Sequence, residues 1–284
     1  MVLLAVMAGL VLLSGCVETS TVIEVKKDGS GYIGEEVYMS KAFEQMIQQM
    51  AAAFGGEQAE SPMSTIDEEK CRRKASKMGE GVKFMGAKIV KKNDGRSGRR
   101  TVYSFDDITK LKISPDPDTP SGVPGQGPQP GADNKPAPVT FGFVKGSTPR
   151  LIINMPQVQE TGESDQMEMP ETSANPEEMT PQQRVQMEQM KKMMEGFHIR
   201  LTVKVDGEIV ESNASHVEKN RETGKDQIVT LFDMDIGKLV NDEKNLMKIA
   251  GMQGVKDFEK AAEQLKDIPG FKIETRERVE IEFK

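Results

Sequence analysis

The chain has 284 residues, a formal net charge of −7 and an apolar share of only 36%, with a pI of about 5.2 and a mean hydropathy of −0.51. An acidic chain without an extended basic run is a poor ligand for polyanions, so nucleic acid is excluded as an expected partner. The length allows one large domain or two small ones, and two cysteines, Cys16 and Cys71, leave no room for a disulfide framework.

Every residue from Val2 to Leu13 is apolar or small, and polar, strand-like sequence begins directly after Cys16. That run is too short to span a hydrocarbon core, which takes roughly 20 apolar residues, and it has the length of a secretory h-region. Its end, Leu13-Ser14-Gly15-Cys16, resembles the bacterial lipobox. The resemblance implies a signal peptide over residues 1–15, cleavage before Cys16, and acyl chains on its thiol. Several chains on one cysteine give stable anchoring where one chain exchanges. The expected compartment is the exported side of the cell membrane or outer membrane. Val17 stands where an Asp would retain a lipoprotein at the inner membrane of a two-membrane cell, so similarity to lipoprotein sorting rules points outward. No Lys or Arg precedes the apolar run, which places the expected start codon upstream of Met1.

After the cysteine, period-2 alternation dominates. Residues 19–27 and 31–39 form two alternating runs joined by Lys27-Asp28-Gly29-Ser30, an Asp-Gly hairpin signal. A helix capped by Ser40 follows, with Phe43, Met46, Ile47, Met50 and Phe54 at helical spacing up to Gly55-Gly56. A shorter charged helix spans 67–78 and stops at Gly79. Residues 82–92 and 99–105 repeat the hairpin design around Asn93-Asp94-Gly95. Lys91, Lys92, Arg96, Arg99 and Arg100 gather near this turn and read as a solvated loop tip.

Two segments cannot bury enough apolar surface to offset ordering entropy: 114–138, dense in Pro and Gly, and 157–180, acidic and without aromatics. Both are expected to be disordered insertions. Between them, within 139–156, two runs form a hairpin across Gly146 to Pro149. Past the second insertion a helix is predicted over 181–195. Phe197, Ile199, Leu201, Val203 and Val205 then alternate with polar residues up to Asp206-Gly207, which predicts a third hairpin into 208–212. Residues 227–236 add a strand with Ile228, Phe232, Met234 and Ile236 on one face; 238–266 reads as one or two helices; Val279, Ile281 and Phe283 end the chain as a strand. The predicted class is α+β: an antiparallel sheet built from hairpins, helices on one face, and one domain assembled from 16–113, 139–156 and 181–284.

The pattern Val25-Lys26-Lys27-Asp28-Gly29-Ser30-Gly31 soon after the cysteine, with Ser212-Asn213-Ala214 before a late strand, resembles LppM-like bacterial lipoproteins. That resemblance implies an envelope-facing α+β domain contacting membrane or ligand, and carries over no catalytic residue.

Motifs for chemistry are sparse. Gly29-Ser30-Gly31-Tyr32-Ile33-Gly34 satisfies the spacing of a dinucleotide-binding loop, but the sequence beyond it alternates as a strand where that loop opens a helix, so a hairpin turn is expected. His198, on the polar face of a strand, and His216, in a charged loop, are both expected in solvent, and Gly95-Arg96-Ser97-Gly98-Arg99 lacks the final glycine of a nucleophile elbow. Asp233 and Asp235 share a strand face and could hold a cation with Asp242, although two carboxylates at that spacing usually form a solvated face. Cys71 is either a buried small hydrophobe or an exposed thiol.

The 19 methionines are the most unusual feature. Met187, Met190, Met193 and Met194 fall on one side of the predicted 181–195 helix, preceded by Met167 and Met169. Core packing is the simplest reading; thioethers on adjacent turns would also suit Cu(I), and a flexible Met face would suit a partner groove. The sequence thus points to an anchored, noncatalytic body that requires no cofactor and binds an envelope protein, lipid or small ligand. An envelope hydrolase with a scattered site, and a Met-based copper binder, are its competitors.

Overall fold

The computed structural model describes residues 17–45, 48, 63–114, 137–156, 196–241, 268 and 270–284. Cys16, the 1–15 leader, most of the first insertion, all of the second, the predicted 181–195 helix with its four methionines, and all of 242–267, Asp242 included, lie outside the described residues.

The elements in chain order are β1 (Val17–Val25), β2 (Gly31–Met39), α1 (Glu68–Met78), β3 (Lys83–Lys91), β4 (Ser97–Phe105), a 3-10 turn (Ile108–Lys110), β5 (Lys112–Ile113), β6 (Val139–Val144), β7 (Arg150–Asn154), β8 (His198–Val205), β9 (Ile209–Ser212), β10 (Val217–Lys219), β11 (Asp226–Asp235), α2 (Ile236–Asn241), β12 (Phe271–Ile273) and β13 (Arg278–Phe283). Residues 41–45 also form a helical turn, opened by Ser40, whose Oγ accepts from Phe43 N at 3.2 Å. Among the described residues no helix is long and apolar enough to cross a membrane.

Two sheets form. The larger runs β10-β11-β8-β1-β2-β4-β3, with β12 added on β11; the smaller runs β5-β6-β7-β13-β9. The α+β class holds, with two qualifications. β1 and β8 pair in parallel, Glu18 beside His198 and Val25 beside Val205, so the larger sheet is mixed. Among the described residues, the smaller sheet and α1 both pack against its inner face.

Alternation explains the layering. Ile23, Val25, Ile33, Tyr103, Phe105, Leu201, Val203 and Val205 project to one face of the larger sheet, and Phe141, Leu151, Ile153, Val279, Ile281 and Phe283 meet them from the smaller, all buried in one continuous core. Each such aliphatic or aromatic side chain contributes about 1.5–3 kcal/mol by leaving water. α1 closes one side through Ala75 and Met78, which join this core, while Cys71 is also buried and thus a small hydrophobe. Its boundaries follow its caps: the Asp67 carboxylate accepts from Lys70 N at 2.8 Å, and Gly79 ends it.

The first two predicted hairpins form, β1 with β2 and β3 with β4. In the first turn Gly29 has φ 88, and Asp28 Oδ1 accepts from both Ser30 N, at 2.9 Å, and Ser30 Oγ, at 2.7 Å. β6 and β7 pair as the predicted fourth hairpin.

The third hairpin does not form. β9 leaves β8 and pairs with β13 in the other sheet, so Asp206-Gly207 is a crossing between layers. Asp206 N donates to Val25 O, holding the first sheet, and Glu208 N donates to Lys284 O, entering the second. A Cβ on Gly207 would lie 2.3 Å from Lys284 O, so only glycine lets the two backbones approach there.

The face assigned to residues 227–236 also needs correction. Leu231 is an extra residue in the β11–β8 ladder: Thr230 pairs with Thr202 and Phe232 with Leu201. The bulge shifts the phase, so Val229 and Leu231 enter the core ahead of Phe232, and Ile228 faces the opposite side beside Lys204 and Glu218. The helix expected from residue 238 begins at Ile236.

Candidate functional site: the charged outer face of the larger sheet

Side chains alternate, so the strands that bury Ile23, Leu201 and Val203 inward present Glu18, Ser20, Glu24, Arg200 and Lys204 outward. The parallel β1–β8 register sets Glu18 beside His198, Ser20 beside Arg200 and Glu24 beside Lys204. β11 completes the rank by pairing Asp233 with Arg200 and Asp235 with His198.

At the centre, His198 Nε2 lies 2.5 Å from Asp233 Oδ1. Arg200 Nη2 reaches Glu218 Oε2 at 3.0 Å and its Nε stands 3.5 Å from Asp233 Oδ2. Glu218 Oε1 accepts from Lys272 Nζ at 2.9 Å and from Thr230 Oγ1 at 2.8 Å. The hydrogen bond to Asp233 raises the His198 pKa above its ordinary value, with the charges of Asp233, Asp235 and Glu18 adding to it against partial burial. Burial pushes Asp233 and Glu218 upward, yet both carboxyls sit below their usual range. His198 outweighs burial for Asp233, and Lys272, Thr230 and Arg200 do so for Glu218.

A second group lies over the start of β1. Glu18 Oε2 receives Lys92 Nζ at 2.6 Å and Arg96 Nη1 at 2.8 Å; these cations hold the Glu18 carboxyl below its usual range against the opposing effect of burial. Arg96 also binds Asp94 at 2.8 Å, and Lys92 Nζ sits 4.3 Å from the Tyr38 ring centroid. Arg100 pairs with Glu36 at 2.5 Å. The basic hairpin tip is therefore no free solvated loop: its outward cations fold back onto carboxylates of β1 and β2, and the Arg96 side chain is only 13% exposed. Ser20, Val22, Gly34, Glu36 and Arg100 line an open hollow of about 300 Å³ between the two groups.

Several expected residues thus take other roles. His198 is a half-buried ion-pair partner, not a solvent-facing side chain. His216 is partly exposed, and its carbonyl accepts from Thr230 N. Asp233 serves His198 and Arg200, and Asp235 Oδ2 pairs with Lys238 at 3.2 Å, while Asp242 lies outside the described residues. Among the described residues no group of His, Cys, Asp and Glu could hold a metal ion. Gly29 to Gly34 opens into β2, as a hairpin turn should. No hydroxyl or thiol among the described residues hydrogen-bonds to His198, so its pairing with Asp233 is not extended toward a nucleophile.

Two features were missed at the level of sequence. Glu274 is 1% exposed, and its carboxylate accepts from Ser215 N at 2.6 Å, Ser215 Oγ at 3.0 Å and Arg276 N at 3.1 Å, tying the segment ahead of β13 to that ahead of β10. The Arg200–Glu218–Lys272 chain joins three strands distant in sequence. One signal pointed toward it: basic residues alternate along β8 where acidic ones alternate along the end of β11, the pattern of cross-strand charge pairs.

No protein-family model, curated protein or solved structure matches this chain.

Proposed function

We propose that this chain is an exported lipoprotein, held to a bilayer by acyl chains on Cys16, whose noncatalytic α+β body binds an envelope protein, lipid or small ligand. The observation that carries the reading is the junction between anchor and fold. Leu13-Ser14-Gly15-Cys16 stands immediately before Val17, the first residue of β1, and β1 is hydrogen-bonded on both sides within the larger sheet. Cleavage before Cys16 would leave every described element intact. The assignment of the body to binding is supported by its ionisable groups: those of the outer face are engaged with one another, whereas general acid–base chemistry needs a group poised toward a substrate.

Intact mass of the protein extracted from native membranes, beside a Cys16→Ala version, tests the anchor. The expected product begins at Cys16 with added acyl mass that the variant lacks. An unprocessed chain without acyl mass overturns the reading.

A further inference from the structure

We infer that the acyl anchor holds the body without slack, so that the folded part meets its partner, a protein in or on the same bilayer, in the layer next to that bilayer; this rests on the anchor proposed above. A tether gains length only from residues outside the fold or able to leave it. Val17, the neighbour of Cys16, is 7% exposed and packs with Met39 and Met63, with Phe43 and Phe197 against them. Its backbone is paired as well, Val17 with Met39, and from Glu18 onward β1 is held on both sides, Glu18 by Tyr38 and by His198. Freeing these first residues would break rungs to β2 and β8 together and take Val17 out of its apolar cluster. A terminal strand tied down in this way does not fray as a loose end does. What remains between fold and lipid is one step of about 3.8 Å along the backbone and the cysteine side chain.

The reach of the folded body then follows from its own length. β1 runs from Val17 at the anchor end to Val25 at the other, where Gly31 and Val205 lie beside it. At about 3.3 Å per residue that is roughly 26 Å, with the Asp28-Gly29 turn just beyond. A spacer of about 20 Gly and Ser residues would add roughly 25 Å on average and so nearly double this height. A protein embedded in the same bilayer, or lying on it, comes within the shorter range; a fixed layer farther out does not. The hollow of about 300 Å³ on the outer face is open and of the smallest size that ligand pockets take, which favours a protein surface over an engulfed lipid.

Energy transfer from the far end of the body to the bilayer reads this height. Lys27 is exposed in the turn after β1 and Cys71 is buried, so a donor dye can be attached to a Lys27→Cys variant of the full mature protein. The protein is reconstituted into phosphatidylcholine vesicles that carry an acceptor on their headgroups. Inserting about 20 Gly and Ser residues between Cys16 and Val17 should lower the transfer about twofold or more. Protein that floats with the vesicles but shows equal transfer with and without the spacer overturns this inference and leaves the anchor standing, because the tether would then not set the height. Protein that fails to float overturns the anchor and this inference together.

Discussion

The two faces of the larger sheet are made by the same strands yet solve opposite problems. Inward, Ile23, Ile33, Val203 and Val205 are fully buried against the smaller sheet, while the buried Thr101 and, toward α1, Glu35 paired with Lys74 share that face. Outward, the neighbouring positions Glu24, Glu36, Arg200 and Lys204 form a web of ion pairs across strands. The inner face is held by water exclusion, which needs shape but no partner choice; the outer face is held by pairings that individually stabilise little, and that specify which strand lies beside which.

Perturbing each face in turn sharpens the contrast. The largest effect is expected inside: Ile281→Ala, at a fully buried position of β13, should cost about 3 kcal/mol, read as a lower urea midpoint with unchanged slope. A loss below about 1 kcal/mol would mean that the two sheets do not share a dry core. Next comes Glu274→Ala, which strands the Ser215 and Arg276 amide donors away from their carboxylate and should cost about 2 kcal/mol. Hydrogen exchange at Ser215 should speed up in that variant; unchanged protection would mean that Glu274 does not fix this segment.

The outer face should respond to pH. The raised His198 pKa makes its stabilising contribution fully present below the unfolded value near 6.5 and lost as pH rises through the folded value. Wild type should therefore exceed His198→Gln in stability most at pH 6, by up to about 1 kcal/mol, with the gap closing toward pH 9. A gap that widens with pH would contradict the pairing with Asp233. The depressed Asp233 pKa acts at the other extreme, its contribution fading as pH falls below the usual carboxylate range. The smallest effect belongs to Lys204→Met, which removes a 3.4 Å pair with the well-exposed Glu24; it should shift stability by less than about 0.5 kcal/mol. A loss as large as that from Ile281→Ala would erase the distinction between the faces.

What could be read from sequence divides along the same line. Local signals succeeded: Asp28-Gly29 and Asp94-Gly95 mark real hairpins, and Asp67 with Gly79 bounds α1, because turn and cap chemistry acts over a few residues. Asp206-Gly207 carries the same local signal yet serves a crossing between sheets, since the strand that β9 joins lies some seventy residues onward and is not visible from the turn. The parallel β1–β8 pair joins residues from opposite halves of the chain, which no periodicity encodes. The Leu231 bulge defeated a simple count of two, and with it the face assigned to Ile228. His198 looked solvent-facing because its polar face was correctly identified while its partner on β11 was not. The expectations on Cys16 and on Met187, Met190, Met193 and Met194 concern residues beyond those described.

The position of β1 also decides how the body would carry a load. A tug on the residue ahead of Val17 acts along a strand laced to β2 from Val17 to Val25 and to β8 from Glu18 to Val25. Rungs on both sides share that tension and must slide together, whereas an edge strand would peel open one rung at a time. A domain tethered in this way resists drag as a firmly seated post does, and would yield only when the middle of its larger sheet shears.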